Sequence, residues 1–397
     1  MNVSRARTHA AVIALALTLA GCGKSLQQHG SGTSPAALPP VTSAGAVGLT
    51  TKNTTRIGGK NPILDAAAVA LTVDPGLTAG SRAQAVVLVN ARNWPAALAA
   101  SALASAPLHA PLLYSEANVL PAASANALAA VKPTGASQLG GTQVIQIGTS
   151  AAPRGYRTRS VTAADPAAIA AQIEPLLATI RGQATHSVIV VASDGPETLA
   201  MPAAGLAAQT GAPILFVDRA GVPPATSTLL SALKRPTIYA IGPTSAISET
   251  VLAGLRGLGT VKRVNGAGPA SNAIAVAQFV DGSFGWGVQE PGHGLVFASV
   301  ARPLDAPAAA PLSAIGDYGP LLLVEYPNRL SGELVSYLTD IQPGYTEEPQ
   351  CRPVRGVYNH GWLIGNQGAI SATAQVEIDS TLEISSRKAC TAPPITP

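Results

Sequence analysis

The sequence predicts an α/β protein of three tandem, small, Rossmann-like three-layer units with parallel sheets and pseudo-threefold packing. Three observations support this fold: the strands are short continuous apolar runs, Ala-rich helical segments alternate with them, and the pattern recurs three times. Continuous apolar runs are typical of parallel strands that are covered on both faces. The chain has 397 residues, of which 47% are hydrophobic and 12% charged, so it can bury a large core.

The N-terminal residues are predicted to lie outside the fold. An apolar run at 10–20 is too short to span a bilayer comfortably, and the LAGC motif that ends at Cys22 resembles a bacterial lipobox. We therefore expect a lipoprotein signal peptide at 1–21 and a lipid anchor on Cys22. A flexible Ser-, Gly- and Pro-rich tether follows over 22–50. The alternative is an ordinary secretory peptide with an incidental cysteine.

Three landmarks then recur in the same order along the chain. The first is an arginine upstream of an Ala-rich helix, at Arg56, Arg159 and Arg263. The second is a strand, a short polar loop and another Ala-rich helix, at 85–104, 187–207 and 294–314. The third is a strand that ends in Ile-Gly before polar residues, around Gly148, Gly242 and Gly365.

These repeats divide the chain into units at 51–156, 157–260 and 261–388, followed by a tail at 389–397. Each unit is predicted to alternate helix and strand, beginning and ending with a helix, around a sheet of three or four strands. Such alternation implies right-handed crossovers between parallel strands. Because sheets this small bury little surface alone, we expect the three units to pack against each other.

Two cysteines remain if Cys22 carries lipid. Cys351 and Cys390 form an even pair in an exported chain, which favours a disulfide between them. The alternative is two buried free thiols.

The recurring motifs resemble the type-2 cell wall-binding repeats of bacterial surface proteins. The resemblance rests on "VVLVNARNWPAALAA", "LPAASANAL", "VPPATSTLL" and "IYAIGPTSAIS", and it covers about residues 55–385. It implies the three-unit fold and non-catalytic binding of an anionic wall polymer or peptidoglycan. The sequence also departs from the family pattern: only Asp305 keeps an aspartate that is Ala96 and Glu197 in the other units.

Polar residues after the strands are the candidate ligand contacts. A helix that follows a parallel strand presents free N–H groups, which suit phosphate or carboxylate oxygens. The candidates for contact with a polymer are Arg92, Asn93, Thr149, Asp194, Thr244, Ser245, Arg302, Asp305 and Asn366. The alternative role for such residues is helix capping, or, for an acid, stabilisation of the helix dipole.

Other kinds of site are not indicated. Gly266 and Gly268 lack the third glycine of a dinucleotide motif, and no phosphate-binding GxxxxGK[ST] or hydrolase GxSxG motif occurs. The six histidines form no HxxxH pair, so neither a metal nor another cofactor is expected. A net charge of +4 without a basic run argues against nucleic acid as a partner.

The sequence therefore predicts a non-enzymatic, exported lipoprotein that lies on the outer face of the cytoplasmic membrane or elsewhere in the cell envelope. It would bind an anionic cell-wall polymer or peptidoglycan. One alternative is a solute-binding lipoprotein that captures a small ligand between α/β units. A second is an envelope hydrolase whose site has no recognisable motif.

Overall fold

The computed structural model describes residues 50–314, 319–344 and 358–385, and the three cysteines lie outside these ranges. The strands are β1 (Thr54–Ile57), β2 (Val86–Asn90), β3 (Leu112–Ser115), β4 (Val144–Ile147), β5 (Thr158–Val161), β6 (Ser187–Ala192), β7 (Ile214–Val217), β8 (Thr237–Ile241), β9 (Thr260–Val264), β10 (Val280–Asp281), β11 (Phe284–Gly285), β12 (Gly294–Ser299), β13 (Leu321–Val324) and β14 (His360–Ile364). The helices are α1 (Pro62–Val73), α2 (Trp94–Ala100), α3 (Ala122–Val131), α4 (Pro166–Arg181), α5 (Glu197–Ala200), α6 (Pro202–Thr210), α7 (Pro224–Ala232), α8 (Glu249–Leu258), α9 (Pro269–Gln278), α10 (Asp305–Ala314), α11 (Gly332–Asp340) and α12 (Ala372–Leu382).

The strands form three four-stranded sheets and one small antiparallel hairpin, β10–β11. The first sheet has the order β3-β2-β4-β5, the second β7-β6-β8-β9 and the third β13-β12-β14-β1. Neighbouring strands in these three sheets are parallel. The prediction of repeated Rossmann-like α/β units is thereby confirmed.

Each sheet takes its fourth strand from the start of another unit. Strand β5 pairs with β4, β9 pairs with β8, and the N-terminal β1 pairs with β14 of the third sheet. The helix after each of these strands packs on the following sheet: α1 contacts β3, α4 contacts β7 and α9 contacts β13. Each unit is therefore tied to its neighbour, and β1 joins the two ends of the described chain. The unit bounds predicted from the repeats stay predictions.

The Ala-rich helices of the second landmark meet at the centre of the molecule. The 3-10 turn Ser101–Ala104 after α2, helix α6 and helix α10 each contact the other two, as expected for three equivalent units. Small residues permit this approach: a Cβ on Gly205 of α6 would lie 2.8 Å from the Ser313 hydroxyl of α10. One apolar core runs through all three units. Among the described residues, no helix is long and apolar enough to cross a membrane.

The first unit lacks the closing helix that the repeat pattern predicts. Helices α8 and α12 follow β8 and β14, and they begin at Ser248 and Ser371, whose hydroxyls accept from the N–H groups of Val251 and Ala374. Six residues after the glycine of the first unit, the cap position is occupied by Arg154, between Pro153 and Gly155. Residues 148–157 run from β4 to β5 with no helix, and this connection is shorter than 242–259, which holds α8.

The arginine landmark is also shifted by one residue on β5, the fourth strand of the first sheet. The glycine N–H groups that end β4, β8 and β14 donate to the carbonyls of Val161, Val264 and Ile57, which are therefore equivalent. The residue equivalent to Arg56 and Arg263 is consequently Ser160 rather than Arg159.

Arg56 and Arg263 each donate a hydrogen bond to the turn that precedes the closing helix. Arg56 Nη1 donates to the Gly365 carbonyl at 3.0 Å, and Arg263 Nη1 donates to the Gly242 carbonyl at 2.7 Å. Ser160 instead donates to Gln146 at 2.9 Å. The arginine and the helix are therefore lost together in the first unit.

We expect Arg56→Ala to lower the free energy of unfolding by about 2–3 kcal/mol, because it removes the buried guanidinium that donates to the Gly365 carbonyl and to Gln375 Oε1. Arg159→Ala is the matched control: its side chain is exposed, so the change should stay within about 0.5 kcal/mol. Urea unfolding followed by circular dichroism measures both. Equal losses in the two variants would contradict the assigned register.

Candidate ligand-binding surface

The loops at the carboxyl ends of the strands carry eight of the nine candidate residues, and the ninth, Asp305, is the first residue of α10. In each sheet, the loops that follow the three strands from one unit lie at the same end of the sheet, because the strands are parallel. The third loop of each unit begins with a glycine at positive φ: +58° for Gly148, +125° for Gly242 and +92° for Gly365. Glycine adopts this conformation at low cost, which lets the chain turn sharply out of the strand.

In the first unit, the loop after β2 presents one exposed cation. Asn90 Oδ1 accepts from the N–H groups of Arg92 at 3.0 Å and Ala117 at 3.3 Å, so it fixes two loops together. The Arg92 side chain is exposed. Asn93 caps α2 by accepting from Ala96 N at 3.1 Å, so its amide oxygen is already used.

Thr149 lies inside the first unit rather than on its surface. Its hydroxyl contacts the Ser115 hydroxyl at 2.7 Å and donates to the Ala117 carbonyl at 2.9 Å. The side chain is buried. Thr149 therefore joins the loops after β3 and β4 and has little surface to offer a polymer.

In the second unit, Asp194, Thr244 and Ser245 are exposed. Asp194 Oδ2 accepts from the Arg219 N–H at 3.1 Å and lies 3.9 Å from Arg219 Nε, an exposed ion pair of small energy. The expectation that Thr244 or Ser245 caps the next helix is wrong, because a turn over 243–247 precedes the helix and Ser248 is the cap.

In the third unit, Asn366 also precedes such a turn. Its Oδ1 accepts from Gly368 N at 3.1 Å, and its N–H donates to the Gly59 carbonyl at 2.9 Å. Asn366 thus stabilises the turn that leads to Ser371, and its side chain is only partly exposed.

Arg302 and Asp305 belong to a buried ion cluster between the first and third units. Arg302 Nε lies 2.9 Å from Asp305 Oδ2, and Arg302 Nη2 forms an ion pair with Asp65 of α1. Both carboxylates are fully buried, and the arginine side chain is 15% exposed. Asp65 also accepts from the Gly59 N–H at 2.5 Å. These groups hold the two units together, which leaves Asp305 no surface for a polymer.

One arginine serves two carboxylates in this cluster, and burial raises the pKa of Asp305 to about 7, against the lowering effect of Arg302. The nearby Tyr114 hydroxyl donates to the Leu304 carbonyl at 2.6 Å. Burial, and to a lesser extent the charge of Asp305, raises the pKa of this tyrosine. Tyr114 is therefore neutral throughout the physiological range.

The position of Asp65 has different chemistry in each unit. Counted from the first proline of each helix, its equivalents are Ile169 in α4 and Asn272 in α9. Asn272 accepts from Gly266 N at 3.0 Å and donates to the Leu199 carbonyl at 2.7 Å, while Ile169 is buried in the shared core. The three interfaces are thus secured by an ion cluster, an amide and an apolar side chain.

Sequence reasoning missed two exposed groups in the loops after β7 and β13. The Arg219 side chain is 77% exposed. The Arg329 guanidinium stacks on the Tyr326 ring at 3.8 Å from its centroid. The signal was present in the motifs "DRAG" and "EYPNR", which interrupt the strand–helix pattern with charged and aromatic residues.

The exposed candidates offer hydrogen-bonding groups and weak charge contacts to a ligand. No group of three or more His, Cys, Asp or Glu side chains with the geometry of a metal site occurs among residues 50–314, 319–344 and 358–385. Of the nine candidates, Arg92, Asp194, Thr244 and Ser245 are exposed.

The buried cluster predicts a pH dependence of stability. The pKa of Asp305 is about 7 in the folded chain and near 3.8 when exposed, so the folded state binds the extra proton between these values. We expect the free energy of unfolding to fall as the pH rises from about 4 to 7 through this residue, and Asp305→Asn to flatten that fall. Urea unfolding at several pH values tests this. An identical slope in the variant would contradict it.

The comparisons with known proteins agree with this fold. Residues 159–252 match the family model described as cell wall binding domain 2 (CWB2). The solved structure of Cwp6 from Clostridium difficile is similar, with a TM-score of 0.68 and 18% identity over 86% of this chain and 49% of that one. Cwp8 from Clostridium difficile is similar with a TM-score of 0.62 and 19% identity over 84% of this chain and 52% of that one.

The chain thus spans about half the length of these two structures. No curated protein sequence matches it. At such low identity the two structures support the fold alone. The matched segment begins in β5 and ends in α8, so it includes the whole run from α4 through β8. The resemblance predicted from the sequence motifs is therefore confirmed over residues 159–252, which match the model of cell wall binding domain 2.

Proposed function

We propose that this chain is a non-enzymatic cell-envelope protein that binds an anionic cell-wall polymer or peptidoglycan. The observation that carries the proposal is the cell wall binding domain 2 match at residues 159–252. It lies in a fold with two further sheets of the equivalent strand order. One matched repeat with two structural equivalents is what a three-repeat binding protein requires.

The exposed loop residues at the carboxyl ends of the strands are the proposed contacts. Arg92 and Arg219 supply cationic donors, while Asp194, Thr244 and Ser245 supply hydrogen-bonding groups. Each contact alone is weak, because exposed charges interact through water. Three units on one chain can engage a repeating polymer together, and such multivalency raises the overall affinity without stronger single contacts.

The anchor is proposed to be lipid on Cys22 after removal of residues 1–21, with the disulfide Cys351–Cys390 formed after export. If residues 22–50 form the flexible tether that their composition predicts, its root-mean-square length would be about 30 Å. It would therefore keep the folded units close to the membrane surface, within reach of envelope polymers. The proposed function involves no nucleotide, nucleic acid or cofactor.

No observation favours capture of a small solute between units. The three units meet through packed helices at the centre. A cavity of about 620 Å³ lies between α9 and α11, inside the third unit, where Glu333 and Asp340 are part of its lining.

Co-sedimentation tests the proposed function directly. The chain from residue 22 with Cys22→Ser, which cannot be lipidated, should pellet with purified peptidoglycan sacculi of the source bacterium. It should pellet less with sacculi from which hydrofluoric acid has removed phosphodiester-linked polymers, because the anionic partner is then missing. A heat-unfolded sample controls for non-specific adhesion. Failure to pellet at low salt would rule the function out.

A further inference from the structure

One side of the first unit is rich in cations and poor in acids. Residues 58–161 contain seven Lys or Arg and three Asp or Glu, whereas residues 265–388 contain six and twelve. Between Glu116 and Asp165 there is no acid at all, yet Lys132, Arg154, Arg157 and Arg159 fall there. The net charge of the whole chain is therefore small although its cations and acids are distributed unevenly along the sequence.

The fold gathers these cations at the amino end of the first sheet and along its edge strand. Gln143 links two of the segments: its Nε2 donates to the Pro133 carbonyl at 2.8 Å, and its Oε1 accepts from the Arg157 N–H at 3.1 Å. Lys132 precedes that proline. Thr134 N donates to the Ala83 carbonyl at 3.0 Å, which brings in Arg82. Arg82, Lys132 and Arg157 thus lie on adjoining segments.

The missing closing helix leaves the edge strand uncovered. Strand β5 is at the end of its sheet, and Thr158, Arg159 and Ser160 are all exposed. Arg157 and Arg159 point to the same side of this extended segment, with Cα atoms about 7 Å apart. Arg154 lies in the loop that replaces the helix and is exposed as well. We call Arg82, Lys132, Arg154, Arg157 and Arg159 the basic edge.

The basic edge is not neutralised by the protein itself. Within the described parts of the chain, none of its five cations lies within ion-pair distance of an acid. Several cations around the second sheet, in contrast, are paired with acids: Arg181 with Glu174, Arg219 with Asp194, Lys262 with Asp281, and both Arg256 and Arg263 with Glu249. The acids of the first unit form no ion pair with these five cations: Asp65 binds Arg302, and partial burial raises the pKa of Asp74 to about 6.

We propose that the basic edge of the first unit is the contact for a linear polyanion of the cell wall. The inference rests on the proposed function and goes beyond it, because it assigns polyanion contact to five cations that are not among the loop residues proposed above as contacts. Unpaired, solvated cations on an exposed strand attract a chain of phosphate or carboxylate groups without strict geometry. Such attraction weakens as salt screens it.

A wall polymer fits this surface better than the membrane does. The proposed tether enters the folded chain at Thr50, which pairs with Thr55 of β1 in the third sheet. The acid-rich unit is therefore the one attached next to the anchor. The basic edge is on the first sheet, where β5 is the strand farthest from β3, and β3 is the strand that contacts α1 and α10.

Two triple variants of the Cys22→Ser chain separate local contact from net charge. The test variant is Arg154→Gln, Arg157→Gln and Arg159→Gln. The control is Lys52→Gln, Lys234→Gln and Arg256→Gln, three exposed cations outside the basic edge. Both lose the same charge. Because Arg157 Nη1 donates to the Gly140 carbonyl at 2.6 Å, a double variant that retains Arg157 guards against a folding defect.

Binding to polymer released from sacculi is measured against salt concentration, with phosphatidylglycerol vesicles as a second probe. We expect the affinity of the test variant for the polymer to fall about tenfold or more, and its binding to depend less on salt concentration than that of the wild type. The affinity of the control variant should change less than about twofold. The affinity of the double variant should lie between those of the test and control variants.

Equal losses of affinity in test and control, or a larger loss of affinity for vesicles than for polymer, would overturn the basic edge as a wall contact. An unchanged test variant, with wild-type binding intact, would overturn this inference alone. Absence of wild-type binding would overturn the proposed function as well.

Discussion

The architecture depends on one constraint, which is that each sheet is completed by a strand from another unit. Three strands of a unit leave a sheet edge with unpaired N–H and carbonyl groups, and β5 and β9 cover that edge on the first two sheets. The third sheet has no following unit among the described residues, so β1 supplies its fourth strand. The three units are thereby joined end to end, and the helices that follow these strands carry the contacts to the centre.

This exchange explains why equivalent positions differ in chemistry. The junction between the third and first units is closed by a strand from the far end of the chain, and it alone contains the Asp65–Arg302–Asp305 cluster. Asn272 and Ile169 occupy the position of Asp65 at the other junctions. Buried charges often add little net stability, but removing one partner leaves a costly unpaired charge. Such a cluster therefore favours contact between the first and third units over contact between other pairs of unit surfaces.

The repeats made the strands, the Ala-rich helices and the parallel sheets predictable, because these follow from local periodicity. Pairing of β1 with β14 has no local signal, since the partners are about 300 residues apart and only the closed structure brings them together. The same holds for Arg302 and Asp65, which sequence spacing could not connect. The error at Thr244 and Ser245 has a different cause. A hydroxyl soon after the glycine is typical of a helix cap, but a turn of several residues separates the glycine from α8, and the cap is Ser248. Arg159 shows how a one-residue shift in a weak repeat moves a side chain from one face of a strand to the other.

Loss of one helix has a consequence for function as well as for fold. Where α8 and α12 cover their sheets, an arginine from the neighbouring strand is buried or paired beneath the helix. In the first unit the helix is absent and the arginines of the edge strand remain in solvent. Hydrogen exchange on chains that begin at residue 22 and at residue 58 tests the strand exchange most directly. Removal of β1 should accelerate exchange in β14 and β12 and lower the unfolding free energy of the whole chain. Unchanged protection of the third sheet would contradict it.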